Sequence, residues 1–470
     1  TASLLLSLLL VAPPSASAAT ANFQDDVLPI LKRHCVGCHN ADESKAGLDL
    51  TSSTSALAGS SGGSVVKAGR PDSSPLYLAI TRHEDYPAMP PKKPKLSDAN
   101  LKTIRDWISS GLIASAEGKS QLREVAFDVR AGSRKRPEKP AFPKNLPSQP
   151  LANTTVSPPI LALARSPWAN LLAASGHRQV LLYGSEKDAA KGLPHVGTLP
   201  FPEGDVHDLR FSRNGELLIA AGGVGAESGK VVVFDVKTGR RVATLGDEYD
   251  VVLSADISAD HKYVAIGTPA KLVKIFSTAT GKLLHRIRKH TDWVTVARFS
   301  PDGTQLATAD RNGGVHVWEV ENAGIVYTLD EHKVKVTALS WRPDGKLLAS
   351  AAEDGKFVLW DMKDGWATRS IIAHAEKARS RYSRRAGVLD IAFANDGRIL
   401  TVGRDRAVRL WNMDGTRVSE ANNQASLPLR ARFLAGGKMI AVGAFDGRVH
   451  TFHAPKITRG ATLETAPNAE

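Results

Sequence analysis

The chain has 470 residues, 42% of them hydrophobic and 6% aromatic, with 61 basic and 48 acidic residues leaving a formal net charge of +13. That length exceeds a single small domain and supplies ample chain for a sizeable core, and the ordinary hydrophobic fraction excludes wholesale disorder. Only two cysteines are present, too few for a disulfide-dense scaffold, but they are Cys35 and Cys38, followed directly by His39.

Residues Ser3 to Ala12 form a short apolar run, and Ala16, Ser17 and Ala18 supply the small-x-small pattern of a signal-peptidase site. The expectation is a secretory signal peptide over residues 1–18, exporting the protein to the periplasm or cell envelope. An uncleaved anchor is the rival reading. The chain starts without methionine or a basic stretch, so the expected signal lacks its extreme N-terminus. No later stretch of about 20 apolar residues would span a membrane, so no transmembrane segment is expected.

Cys35-Val36-Gly37-Cys38-His39 has the C-x-x-C-H spacing of covalent haem attachment, with the thiols bonding the vinyl groups and the histidine ligating iron. Two intervening residues place the sulfurs about one helical turn apart on one side of the chain. A zinc site would need further ligands, and a thioredoxin-like pair would need a βαβ setting. Here the motif follows a helical pattern with Phe23, Val27, Ile30 and Leu31 on one side. The expected domain covers residues 19–116 and closes with an amphipathic helix carrying Leu101, Ile104, Trp107 and Ile108. For the second axial ligand, Met89 lies in Tyr86-Pro87-Ala88-Met89-Pro90-Pro91, a loop stiffened by three prolines, with His83 as its rival.

Residues 22–112 resemble the planctomycete-type cytochrome c domain. The resemblance rests on the haem motif, the Gly69–Ser73 segment, the Met-Pro-Pro loop and the Trp-Ile-x-x-Gly end, in that order. It implies one covalent haem c, with His39 and Met89 as axial iron ligands and Cys35 and Cys38 as thioether anchors. Arg70 becomes a candidate partner for a haem propionate.

Residues 117–154 are expected to form a Pro-rich linker. Between 117 and 150 it carries eight basic residues against four acidic ones, +4 overall, with Phe127 and Phe142 available to pin it to a domain surface.

Beyond the linker the chain repeats. Tyr183, Phe234, Phe276, Trp318, Trp360, Trp411 and Phe452 fall 51, 42, 42, 42, 51 and 41 residues apart, each preceded by an alternating strand pattern and turns such as "SPDG" and "RPDG". Partner positions lie at Arg165, Phe211, Ile257, Phe299, Trp341, Phe393 and Phe433. A period near 42 with these turns is the form of four-stranded propeller blades. Seven such units over residues 155–455 resemble the WD40 family, leaving 456–470 as a tail. The fold class is therefore multidomain: a small all-α cytochrome c domain followed by an all-β seven-bladed WD40 propeller.

His290, His332 and His374 are spaced 42 apart, and Asp354 and Asp405 sit in tight turns before the Trp strands. Equal spacing on separate blades points to blade-ordering hydrogen bonds, because ligands to one metal would converge. Two insertions depart from the period: "GGVGAESGK" in the second blade, and a longer one before the sixth blade with Lys377, Arg379, Arg381, Arg384 and Arg385 against Glu376. The +4 of that longer loop, 374–387, makes it the expected dock for an acidic redox protein. Nucleic acid is not an expected partner, since aromatic and basic residues do not interleave.

The function expected is electron transfer through one haem, with the propeller as docking platform and no catalytic residues. The alternative is a redox enzyme in which the propeller binds a second cofactor or substrate and the haem relays electrons.

Overall fold

The structure is a computed structural model that describes residues 21–115, 129, 136–147, 157–185, 193–374 and 387–465. The chain divides into two compact units, Thr1–Val125 and Ala126–Glu470. The expected signal peptide lies outside the described residues, as does Phe127.

The first unit is helical. A turn at Phe23–Val27 runs into α1, Leu28–His34, and is followed by α2 (Ser53–Ala58), α3 (Pro75–Thr81) and α4 (Asp98–Ser109). Ser97 caps α4 by accepting from the Asn100 amide at 3.3 Å, and Asp98 complements the helix dipole. One face of α4 carries Leu101, Ile104, Trp107 and Ile108, all buried. Gly111, at φ +97°, lets the chain leave the helix, and its amide bonds back to Ile108 O. Phe23 and Trp107 pack with ring centroids 5.4 Å apart. The Phe23 amide and Trp107 Nε1 both donate to Ile113 O, at 2.7 and 3.0 Å. The two ends of this small unit are thus fastened to each other over one apolar core.

The second unit is a ring of seven four-stranded antiparallel sheets, at 163–200, 205–248, 254–287, 294–329, 336–372, 388–421 and 428–464. Each takes its strands in sequence order. All seven repeat positions from Tyr183 to Phe452 lie on third strands, and their partners from Arg165 to Phe433 lie on first strands. In blades four to six the tryptophans face apolar residues of the second strand: Leu306 opposite Trp318, Leu348 opposite Trp360 and Ile399 opposite Trp411. The hairpin from first to second strand of blade four turns on Gly303 at φ +75°, while Asp302 Oδ1 accepts from the Thr304 amide.

The spaced histidines order their blades through a residue the repeat pattern did not single out. In blade four Trp318 Nε1 donates to Thr308 Oγ1 at 2.8 Å, and that oxygen lies 2.7 Å from His290 Nε2. His290 Nδ1 is 2.9 Å from Asp310 Oδ2. The chain of donors runs Trp, Thr, His, Asp, which assigns the proton to His290 Nδ1. Blade six repeats it with Trp411, Thr401, His374 and Asp405, and blade five with Trp360, Ser350 and His332. In blade five the His332 to Asp354 separation is 3.7 Å, and Nδ1 is left without a hydrogen bond.

One expectation is corrected. The segment expected as a tail from 456 contains a strand, Thr458–Glu464, which pairs with Arg448–His453 and completes the seventh blade. The boundary fell early because that strand is mostly exposed and carries no apolar alternation. The second-blade insertion falls at the turn before that blade's third strand and also lengthens the two strands flanking it: Leu217–Val224 and Ser228–Asp235 have eight residues each. Glycine permits this, since a Cβ on Gly222 would lie 1.9 Å from Asp205 O.

Replacing Thr308 with Val keeps the shape but leaves Trp318 Nε1 and His290 Nε2 without their shared partner. The expected cost is about 1–3 kcal/mol of unfolding free energy in a urea titration; a loss within about 0.5 kcal/mol, the scale of an ordinary surface change, would contradict the role given to this hydroxyl.

Candidate functional site

The cysteine motif begins where α1 ends. Cys35 terminates that helix with its amide on Leu31 O at 2.8 Å, and the amides of Cys38 and His39 both return to Cys35 O at 3.1 Å. This tight turn is what a C-x-x-C spacing permits. The His39 carbonyl accepts from the Leu50 amide at 3.0 Å, tying the motif to buried Leu50. Cys35 and Val36 pack against the apolar core of the unit, and so does Met89. The structure therefore brings Met89 to the same core that seats the cysteine turn. The Met89 amide bonds to Ala79 O at 3.1 Å, at the end of α3, which fixes the proline-rich loop there.

The rival ligand, His83, is tied to the same helix end, its amide donating to Leu78 O at 3.0 Å. His83 is exposed and lies 3.6 Å from Asp85, stacked edge-on to Tyr86. Arg70 is half-buried at the start of a short turn, Pro71–Ser73, where its carbonyl accepts from Ser74 Oγ at 2.8 Å. Lys45 went unnoticed in the sequence: its Nζ is 3.9 Å from Cys38 Sγ, a cation beside a thiol. A lysine seven residues past a cysteine carries no signal until the intervening turn is folded.

Two thiols, one imidazole and one thioether form the donor set of a c-type haem with histidine and methionine ligation. The residues present fit that group. Both cysteines are free thiols, and His39 Nδ1 is buried with no hydrogen-bond partner, a cost that engagement of the ring would offset. Among the described residues no three His, Cys, Asp or Glu side chains gather to hold a metal ion.

On the propeller, the strong basic insertion falls largely outside the described residues, which stop at His374 and resume at Gly387. Its two ends meet: the Gly387 amide donates to His374 O at 3.2 Å. Beside them Arg404 pairs with Glu353 at 2.6 Å, linking blades five and six at the end of the ring where second strands turn into third strands. Phe142 and Leu146 of the connecting segment pack on the first two blades, and the Lys144 amide bonds to Lys237 O at 2.9 Å.

Fold and site together define a cytochrome c-type domain joined to a seven-bladed WD40 propeller. Residues 35–93 match the family model described as Planctomycete cytochrome C, a span that contains Cys35, Cys38, His39, Arg70 and Met89. Residues 281–319 and 378–412 match the WD domain, G-beta repeat, and 322–381 match the WD40 domain of anaphase-promoting complex subunit 4. No curated protein matches the chain. The cytochrome match points to haem and electron transfer, and the propeller to a protein-interaction platform. No helix among the described residues is long and apolar enough to cross a membrane.

Burial pushes the Cys35 thiol up to about 11, so it stays protonated at neutral pH. In the haem-free chain the alkylation rate at Cys35 is expected to rise about tenfold per pH unit between pH 7 and 10; mass spectrometry of the labelled peptide showing a plateau by pH 9 would contradict the burial.

Proposed function

We propose that the chain is an exported c-type cytochrome that passes single electrons to or from a protein docked on its propeller. The observation that carries this reading is the convergence, on one small apolar core, of the contiguous C-x-x-C-H turn and the Met89 loop. One covalently attached haem c would supply the one-electron couple.

The residues of the chain divide the remaining tasks. Cys35 and Cys38 would tether the group by two thioethers. His39 and Met89 would supply the imidazole and thioether that hold its iron. Pro87, Pro90 and Pro91 restrict the loop that presents Met89, so little conformational entropy is lost when its thioether is held. Arg70 is the guanidinium available to a propionate. An iron held by both His39 and Met89 would leave no protein-free coordination site for substrate, which favours electron transfer over catalysis. The apolar packing around Cys35 and Met89, with a thioether ligand, would raise the potential of a haem held there.

The docking surface proposed is the basic loop 374–387. Its +4 charge would steer an acidic redox protein by long-range attraction.

Met89→Ala is the test of the ligand assignment. In haem-loaded protein the midpoint potential is expected to fall by roughly 100 mV or more, while His83→Ala leaves it in place. A potential unchanged in the Met89 variant and lowered in the His83 variant would reverse the assignment.

A further inference from the structure

The first strands of the blades line a central channel, and the charges they place there do not balance. A cavity of about 260 Å³ opens at one end of the channel, with walls drawn from every blade. Its charged lining consists of five arginines, Arg165, Arg210, Arg213, Arg298 and Arg432, against one carboxylate, Asp256. Two of the arginines are neutralised from behind. Arg298 grips Asp208 at 2.8 and 3.2 Å, and Arg432 contacts Asp390. Asp256 is occupied by backbone, accepting from the Phe299 and Ile257 amides at 2.9 Å.

Arg210 is left at the centre. Its nearest carboxylate is Asp208 at 3.8 Å, already held by Arg298, and its Nε is buried without a hydrogen-bond partner. The Nε atoms of Arg298 and Arg432 are buried without partners as well. Burial, and then the like charges of Arg298 and Arg432, push the Arg210 guanidinium down to about 9, which still leaves it cationic at neutral pH. Arg165 reaches Asn395 only at 3.5 Å. Desolvated guanidinium groups in excess of their carboxylates, with donors unmet, define a place where an anion restores balance. The small volume selects a compact ligand over a peptide segment.

We propose that this cavity binds a small, multiply charged oxyanion, of the chemical class shared by inorganic phosphate and short dicarboxylates, with Arg210 as its principal contact. The site is separate from the haem motif and rests on the propeller alone.

The test uses the full chain, titrated calorimetrically at pH 8 with inorganic phosphate and, in a second arm, with malonate, against sodium chloride at matched ionic strength. Saturable one-to-one binding of either oxyanion, absent with chloride, is the expected result, and the stronger arm identifies tetrahedral or dicarboxylate chemistry. Arg210→Gln is expected to weaken that binding about tenfold or more, the scale of losing a charged hydrogen bond. Asp256→Asn, which removes the one opposing charge, is expected to tighten it several-fold and serves as the deciding variant if Arg210→Gln does not fold. No saturable binding in the unaltered chain, or affinities that neither variant moves, would overturn the proposal.

Discussion

The propeller depends on one seam. Each blade draws its four strands from a contiguous run of chain, so among the described residues no strand is shared between the first blade and the seventh. The ring is closed there by side chains: Ile160, Leu163, Leu172 and Leu181 interlock with Leu434, Ala441 and Val449. At roughly 1.5–3 kcal/mol for each large apolar side chain withdrawn from water, this cluster outweighs the few polar bonds across the join. Those bonds are specific nonetheless. The Ile160 amide donates to Ala444 O at 3.1 Å, and Tyr183 Oη donates to Glu464 O at 2.9 Å. Without the seam the inner strands would not converge, and neither the channel nor the ordered rim would exist.

The closed ring handles buried polarity in two ways. In blades four and six, His290 and His374 are each satisfied on both ring nitrogens, so these two networks fix strand geometry and have no capacity left for chemistry. In the channel the reverse holds: guanidinium groups are gathered with donors unmet. The contrast separates residues that hold the fold from residues positioned toward a ligand, although both sets are buried and polar. The haem motif follows the second pattern, since His39 Nδ1 is buried without a partner while the amides of Cys35, Val36, Cys38 and His39 are all bonded.

Much of this was legible in the chain because the signals are local. C-x-x-C-H is contiguous, and the blade period survives because every third strand ends on an aromatic at a near-constant interval. The helix around Trp107 was legible from its apolar spacing. What stayed hidden depended on contacts distant in sequence or on residue types too common to notice. Thr308, Ser350 and Thr401 complete the histidine networks, but a Ser or Thr in a strand is unremarked until its neighbours are known. Met89 was preferred to His83 from its proline-stiffened loop alone, and its packing against the core of the unit was not visible in the sequence. Asp208, Arg298, Asp390 and Arg432 come from four different blades or strands up to 90 residues from their partners, so their pairing, and the surplus left on Arg210, appears only once the ring is closed. The last strand, Thr458–Glu464, was missed because an outer strand exposed to water lacks alternation.

The central claim is that one haem is held covalently through Cys35 and Cys38. It is tested most directly by producing the full chain with haem-c maturation, denaturing it, extracting with acidified organic solvent and measuring the retained pyridine haemochrome per chain. The account predicts one haem that stays with the polypeptide and is lost when Cys35 and Cys38 are both replaced by alanine. Haem that extracts freely from the unaltered chain, or retention that does not depend on these two cysteines, would contradict it.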